Sequence, residues 1–311
     1  MELLRYTLKV DKRTRVQRIM HKEKVFSKEG SYELCVRSNA LMHKESIDLN
    51  YAALRDIVPE LYAKHGVIKV LDLACGAMPI SLMGALSQFP DNKFEYTGID
   101  INPDQIDKLQ HYDFPSNITR VTTIAETAWE LEFLSETDEF DDRYHLIFTG
   151  FNLHHGTPEE LAFLALEIKQ RLSNDGLFLN IDAYRPETEI YTRRPDVNPE
   201  NPSESYRMIP TERLSHRYEF MAKEQKLTDY PSWKLDMCQE LTNIMTKAGG
   251  DESKINEVIN HSMKRDFPVA LSEMKMIFEE AGLKATTLPL HNKYPDNPIA
   301  EYFGTLVARR K

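Results

Sequence analysis

The chain has 311 residues, of which 41% are hydrophobic and 28% are charged, and this balance is typical of a globular protein with a sizeable buried core. No apolar run approaches the roughly 20 residues that span a bilayer, and the first residues lack the apolar region of a secretory signal. A net charge of −10 argues against a general nucleic-acid surface. We therefore expect a cytoplasmic protein with no membrane anchor, and nucleic acid is not the expected partner.

The first 30 residues differ from the rest of the chain in charge. They carry nine Lys or Arg residues against four acidic residues, so the remainder holds the acidic excess. A solvated helix face or a flexible arm explains such a segment, and an RNA-binding patch is the alternative.

The three cysteines, Cys35, Cys75 and Cys238, lie far apart and form no CxxC pair. An odd number of cysteines suits a reducing compartment, and no histidine stands near them at the spacing of a zinc site. We therefore expect no structural metal site.

Helical and strand-like segments alternate over most of the chain. One helix is expected over residues 50–66, closed by Gly66, and a turn at residues 174–176 leads into the fifth strand. The predicted strands cover residues 67–73, 94–101, 119–125, 144–149, 177–181, 285–290 and 302–308. This alternation predicts a Rossmann-like α/β fold, doubly wound, with a mostly parallel seven-stranded sheet.

The alternation stops after residue 184. Five prolines lie between residues 185 and 210, and the apolar spacing of residues 212–264 then favours helices without an intervening strand. Long insertions in compact folds tend to be lids or binding elements. We therefore expect an N-terminal helical and basic cap over 1–50, a core formed by 51–184 and 266–311, and a helical lid insertion over 185–265.

Two strand ends carry the pattern of a ligand site. The first predicted strand runs into LDLACGAMPI, where small residues allow close approach to the backbone, and the second ends in GIDIN, where Asp100 can accept hydrogen bonds from ribose hydroxyls. A dinucleotide fingerprint needs three glycines to cradle a pyrophosphate, and this turn has only Gly76. A cofactor with a ribose and no phosphate is therefore favoured over NAD(P).

These segments resemble class I S-adenosylmethionine-dependent methyltransferases. LDLACG and GIDIN match the first two motifs of that family, and FNLHH, GLFLNIDAYRP and FPVALSEMKMIFEEAGL resemble its small-molecule members in order and spacing. The resemblance covers residues 67–184 and 266–308. Ala74 and Met78 replace glycines that are common in the family's first motif.

The resemblance implies S-adenosylmethionine as cofactor and assigns residues to it. The loop after the first strand would pass beneath the methionyl part, Asp100 would bind both ribose hydroxyls, and Ile101 would pack on the adenine. Ala125 and Glu126, at the end of the third strand, would contact the adenine edge. Gly150 and Phe151, after the fourth strand, would offer a backbone carbonyl to the cofactor's ammonium. Asp72 either contacts the cofactor or holds the turn in place by accepting backbone hydrogen bonds, and the loop residues beneath the methionyl part are Ala74, Cys75 and Gly76.

Two histidines follow the fourth strand, where the acceptor should lie. Because imidazole titrates near neutral pH, His155 or His154 could orient or deprotonate the acceptor; alternatively both close the helix entry through hydrogen bonds to backbone. Tyr184 and Asp182 are further candidates to contact the substrate. The expected function is methyl transfer to a small organic molecule.

An acidic acceptor is suggested by arginines of the insertion, because guanidinium groups pair bidentately with carboxylate or phosphate. Solvated helix faces are the alternative explanation. The residues concerned are Arg193, Arg194, Arg207, Arg213 and Arg217. Two other functions also stay open: an RNA or protein methyltransferase that uses the basic N-terminal segment, and a protein that binds the cofactor without catalysis.

Overall fold

The computed structural model describes residues 30–129, 131, 143–156, 158–186, 232–266 and 268–311. Its first three helices are α1 (Ser31–Ser38), α2 (His43–Leu54) and α3 (Ile57–His65). The single helix expected over residues 50–66 was wrong, because α2 ends and α3 begins within that range. Pro59 explains the break, since its ring clashes with the carbonyl four residues earlier and it has no N–H to donate.

Seven strands form one sheet in the order β3-β2-β1-β4-β5-β7-β6. The strands β1 to β5 pair in parallel, whereas β7 runs antiparallel to both β5 and β6. Their bounds are β1 Ile68–Leu73, β2 Phe94–Ile99, β3 Ile118–Ile124, β4 Tyr144–Gly150, β5 Leu172–Ala183, β6 Leu283–Pro289 and β7 Phe303–Arg310. The predicted Rossmann-like, mostly parallel seven-stranded fold is therefore confirmed.

The remaining helices connect the strands or cover their ends. They are α4 (Ile80–Leu86), α5 (Pro103–Leu109), α6 (Pro158–Arg171), α7 (Ser232–Lys247), α8 (Glu252–Arg265) and α9 (Leu271–Glu280). None of the helices in the described ranges combines the length and the apolarity that crossing a bilayer requires.

The fifth strand starts earlier than the sequence suggested. It begins at Leu172, which pairs with Tyr144, and the next paired residue is Leu177, opposite Leu146. Residues 173–176 therefore form an irregularity inside the strand and not a turn before it. The Asn-Asp-Gly sequence still marks the place where regular pairing is interrupted.

Alternate side chains of β1 enter the cores on opposite faces of the sheet. Leu71 and Leu73 join one cluster with α6 and α9, whereas Ile68 and Val70 join another with α3 and α4. In the first cluster the ring of Phe278 on α9 stacks on that of Phe178 on β5, with 5.0 Å between the ring centroids. Both faces of the sheet are thus covered by helices.

A third cluster lies beyond the carboxyl ends of the parallel strands. It joins α1 to α7 and α8, through residues such as Leu34, Met237 and Val258, and it contacts the sheet at Ile181. The described part of the insertion therefore packs together with the N-terminal helix above the edge of the sheet where the loops β1–α4 and β2–α5 begin.

Candidate functional site

A cleft opens at the carboxyl ends of β1, β2, β4 and β5, where ligands bind in open α/β sheets. Its empty space is about 1190 Å³ when the opening to solvent is included. Nine of the residues assigned from the sequence line it: Ala74, Cys75, Gly76, Asp100, Ile101, Gly150, Phe151, His154 and His155.

The loop after β1 turns sharply beneath the cleft. Ala74 and Gly76 both adopt left-handed backbone conformations, with φ of 57° and 58°, and the N–H of Cys75 between them donates to the carbonyl of Ile99 at 3.0 Å. A Cβ atom on Gly76 would have no neighbour within 4 Å, so this side of the loop is open. The loop thus presents its backbone to the cleft.

Asp100 connects the loops that follow β1 and β2. Its Oδ2 accepts from the N–H of Gly76 and its Oδ1 from the N–H of Asn102, each at 2.9 Å. Burial raises the pKa of Asp100, and the two backbone donors act in the opposite direction. Each oxygen has a second lone pair, so the carboxylate can still accept hydrogen bonds from two hydroxyls of a ligand.

Asp72 is placed away from the cleft. Its carboxylate is buried and accepts a hydrogen bond from the Tyr96 hydroxyl at 2.9 Å, and Asp72 is not among the described residues that line the cleft. Burial raises the pKa of Asp72 to about 8, although the hydrogen bond from Tyr96 lowers it. Of the two roles left open by the sequence, the structural one fits this position.

The third strand end also differs from the expectation. Ala125 and Glu126 are exposed, and neither lies on the described walls of the cleft, whereas Ala128 does. Asn102 and Gln105 line it as well, and the side chain of Gln105 accepts from the N–H of Ala77 at 3.1 Å. Ala128 has no polar group to mark it, so the sequence offered no signal for it.

His154 lies in a short 3-10 helix, Leu153–His155, between two carboxylates. Its Nδ1 is hydrogen-bonded to Oδ1 of Asp182, and its Nε2 lies 3.6 Å from Oδ1 of Asp266. Burial lowers the pKa of His154, but the charges of Asp182 and Asp266 outweigh burial and raise it to about 9. Without a competing cation the ring is therefore charged near neutral pH and cannot act there as a base.

Asp182 was named only as a possible substrate contact, yet it organises this region. It is fully buried, and its Oδ2 accepts from the backbone N–H groups of Asn152 and Leu153 at 3.1 and 2.6 Å. It therefore fixes both the start of the 3-10 helix and the ring of His154. The alternative in which both histidines close the helix entry through backbone hydrogen bonds does not describe His154, because a carboxylate holds it.

Tyr184 is not brought to the cleft. Its side chain is buried, its hydroxyl is hydrogen-bonded to Oδ1 of Asn180, and burial raises the pKa of Tyr184 well above its usual value. The described cleft walls do not include it. The tyrosine thus packs in the core below the site. The sequence did not reveal this, because a position after β5 does not decide which way the side chain points.

Two residues at the end of α8 reach the site and were missed by the sequence reasoning. Asp266 lies 3.4 Å from Nδ1 of His155 and 3.2 Å from Nε2 of His261, measured from Oδ1. The charges of these histidines and of His154 outweigh burial and hold the pKa of Asp266 well below its usual value. His261 lies in a predicted helix and Asp266 just beyond it, with no motif to mark either, so only the packing of α8 reveals them.

The outer wall of the cleft comes from the N-terminal region, which precedes the core, and from helices of the insertion. Tyr32, Cys35 and Leu41 contribute from the N-terminal region, and Met237 and Val258 from α7 and α8. The wall described is largely apolar, which suits an organic ligand. The arginines suggested for an acidic acceptor lie outside the described residues; they are Arg193, Arg194, Arg207, Arg213 and Arg217. Most of the basic N-terminal segment also lies outside the described residues.

No family model matches the sequence, and none of the curated proteins does. Among solved structures, the plantazolicin methyltransferase BamL in complex with a triazolic desmethylPZN analog and SAH has a TM-score of 0.51 at 12% identity, over 100% of this chain and 99% of that chain. The plantazolicin methyltransferase BpumL in complex with SAH has a TM-score of 0.46 at 10% identity, over 96% and 99% of the two chains.

Human N-acetylserotonin methyltransferase in complex with SAM has a TM-score of 0.41 at 13% identity and matches 78% of this chain. The match spans about half of that enzyme, 47% of its length. The likeness to BamL shows the fold, which is that of the class I S-adenosylmethionine-dependent methyltransferases.

Proposed function

We propose that the protein transfers a methyl group from S-adenosylmethionine to a small organic acceptor. The observation that carries this proposal is one cleft that joins the carboxylate of Asp100 and an open backbone loop at Gly76 to a pair of histidines. When bound, the cofactor supplies an electrophilic methyl group on a sulfonium.

The chain's part in such a reaction would be to bind the cofactor and the acceptor, to align them and to exclude water. The loop from Ala74 to Gly76 would lie under the methionyl part, and Asp100 would bind the ribose. Ile101 would pack on the adenine, and backbone of Gly150 and Phe151 would meet the ammonium. The apolar helices α1, α7 and α8 would close the cleft over the acceptor.

The two histidines would serve different purposes. With no metal ion bound, its two carboxylates hold His154 as a cation, which would stabilise negative charge that develops on the acceptor side. His155 lines the same cleft with its side chain one-tenth exposed, and it would orient the acceptor or receive its proton.

Calorimetric titration with S-adenosylmethionine, and in parallel with NAD and NADP, tests the cofactor. We expect binding of S-adenosylmethionine alone. A preference for a nicotinamide cofactor, or no binding of any of the three, would contradict the proposal. Release of S-adenosylhomocysteine with a panel of small hydroxyl, amine, thiol and carboxylate acceptors then tests catalysis.

Alanine variants of His154 and His155 separate the acceptor side from the cofactor side. Each should slow turnover and leave the affinity for S-adenosylmethionine within a few-fold of that of the unchanged protein. Unchanged turnover in both variants would remove the histidines from the mechanism. His111→Ala is the matched control, because that histidine is exposed in the turn after α5 and is not among the described residues that line the cleft.

A further inference from the structure

Polar side chains from two distant parts of the chain meet at one edge of the cleft. The 3-10 helix supplies His154 and His155, and the end of α8 supplies His261 and Asp266. Three of these four, His154, His155 and Asp266, also line the cleft. They surround a single atom, because each imidazole places a ring nitrogen near Oδ1 of Asp266.

The spacing of these atoms is wider than that of ordinary hydrogen bonds. Oδ1 of Asp266 lies 3.6 Å from Nε2 of His154 and 3.4 Å from Nδ1 of His155, whereas N–H···O bonds cluster near 2.9–3.0 Å. Ligand atoms bound at 2.0–2.1 Å to a tetrahedral ion lie about 3.3 Å apart. One ligand atom from each of the three residues lies within 4.8 Å of the others.

Asp266 itself has reason to take a further partner. Its Oδ1 is buried, and ring nitrogens of three histidines lie 3.2–3.6 Å away, but among the described residues none of them makes a hydrogen bond of good geometry with it. A buried carboxylate oxygen in that condition is costly, and a cation between it and the two imidazole nitrogens would remove the cost.

The outer partners are those that a metal site needs. A histidine that binds a metal through one nitrogen usually donates its other N–H to a carboxylate, which fixes the ring and its tautomer. Nδ1 of His154 has that bond to Asp182, so its Nε2 is aimed at the cluster. On the other side of the cluster, Nε2 of His261 lies 3.2 Å from Oδ1 of Asp266.

We propose that His154, His155 and Asp266 bind a divalent transition-metal ion, of which zinc is the representative. Two imidazoles and one carboxylate suit such an ion better than magnesium or calcium, which prefer oxygen ligands. Three protein ligands leave a position open toward the cleft, which is the arrangement of a catalytic and not a structural ion.

This inference rests on the proposed function and specifies how the acceptor is held: with the ion bound, His154 and His155 are neutral ligands, and the ion takes over the roles proposed above for the two rings. The acceptor's hydroxyl, thiol or amine would occupy the open position, and the ion would favour loss of its proton to solvent. The deprotonated atom then forms the bond to the methyl carbon. The carbon–sulfur bond breaks with its electron pair left on sulfur, which yields S-adenosylhomocysteine.

The sequence expectation of no metal site was drawn from the cysteines, and this cluster contains none of them. All three cysteines are buried, and burial raises the pKa of the Cys35 and Cys238 thiols to about 12, so they are poor metal ligands. The proposed ligands therefore come from a different set of residues altogether.

Cobalt(II) is the probe for the test, because its visible spectrum reports coordination by nitrogen and oxygen ligands. Chelator-treated full-length protein is titrated with CoCl₂ by absorbance and calorimetry. We expect one ion per chain with the spectrum of a four-coordinate site. Asp266→Asn and His155→Gln should each weaken cobalt binding about 100-fold, and His111→Ala should not change it.

Titration with S-adenosylmethionine on the same samples keeps the two proposals apart. Cobalt binding at this site without cofactor binding would leave the metal site standing and overturn the proposed function. Cofactor binding with no stoichiometric cobalt, or with cobalt affinity unchanged in both variants, would overturn the metal site. Thermal unfolding of each variant identifies any that is misfolded. If one variant is misfolded, the cobalt affinity of the other and the cobalt spectrum of the unchanged protein decide whether the metal site exists.

Discussion

The carboxylate of Asp100 accepts a hydrogen bond at 2.9 Å from the backbone N–H of Gly76, although the two residues follow different strands. Because β1 and β2 are parallel neighbours with Leu73 opposite Ile99, both loops start at the same level. The bond joins the small-residue loop to the acidic strand end and shapes the floor of the cleft.

Replacing Asp100 by alanine should weaken binding of S-adenosylmethionine at least 100-fold. Two hydrogen bonds to a charged group would be lost, each contributing about 1.5–3 kcal/mol, and about 3 kcal/mol corresponds to roughly a 100-fold change in Kd. Calorimetric titration measures this change in Kd. Asp104→Ala is the control, since Asp104 is exposed on α5. Equal affinity of the Asp100 variant and the unchanged protein would contradict the ribose assignment.

Replacing Ala74 by glycine should stabilise the protein. The residue has φ of 57°, a conformation that costs an L-amino acid about 1–2 kcal/mol, while glycine loses about 0.5–1 kcal/mol more chain entropy on folding. We expect a net gain of about 0.5–1 kcal/mol in the free energy of unfolding, measured in urea. Ala77→Gly, in the same loop but without a positive φ, should instead destabilise; a loss in both variants would argue against strain at Ala74.

Asp72 should make stability depend on pH. Its pKa is raised from 3.8 to about 8 in the folded state, so between these values the folded protein binds more protons than the unfolded chain. Stability from this group is fully present below about pH 4 and is lost as the pH rises through about 8, by up to about 1.4 kcal/mol per pH unit.

Asp72→Asn keeps an acceptor for the Tyr96 hydroxyl and removes the ionisation. We therefore expect the variant to be the more stable protein above pH 8, and its stability curve to be flatter between pH 4 and 8. Urea unfolding at several pH values measures this. The same slope in both proteins would show that Asp72 is not the titrating group.

Truncation of Phe278 should destabilise the sheet face covered by α9. The ring stacks on Phe178 with 5.0 Å between centroids, and both side chains are fully buried. Phe278→Ala should cost about 3–5 kcal/mol. Leu288→Ala is the comparison, because Leu288 on β6 is 39% exposed. Its truncation should change the free energy of unfolding by no more than about 0.5 kcal/mol. Similar losses at both positions would contradict the buried stacking of Phe278 on Phe178.

Much of the sheet could be predicted from the sequence because its signals are local. Apolar runs ending in small or acidic residues indicated β1 and β2 with their loops, and the helix end at Gly66 was likewise recognisable. The errors arose where one residue changes local geometry. Pro59 divides one predicted helix into α2 and α3, and the Asn-Asp-Gly segment interrupts β5 instead of preceding it.

The parallel core and the place of Asp100 at a strand end follow from local signals, because strand ends and loop residues are adjacent along the chain. Where the side chains after those strands point depends instead on tertiary packing. Tyr184 turns into the interior, Asp72 pairs with Tyr96, and His154 is enclosed by Asp182 and Asp266. That last arrangement depends on how α8 docks over the strand ends, and such docking is set by burial of apolar surface between elements that are remote in sequence.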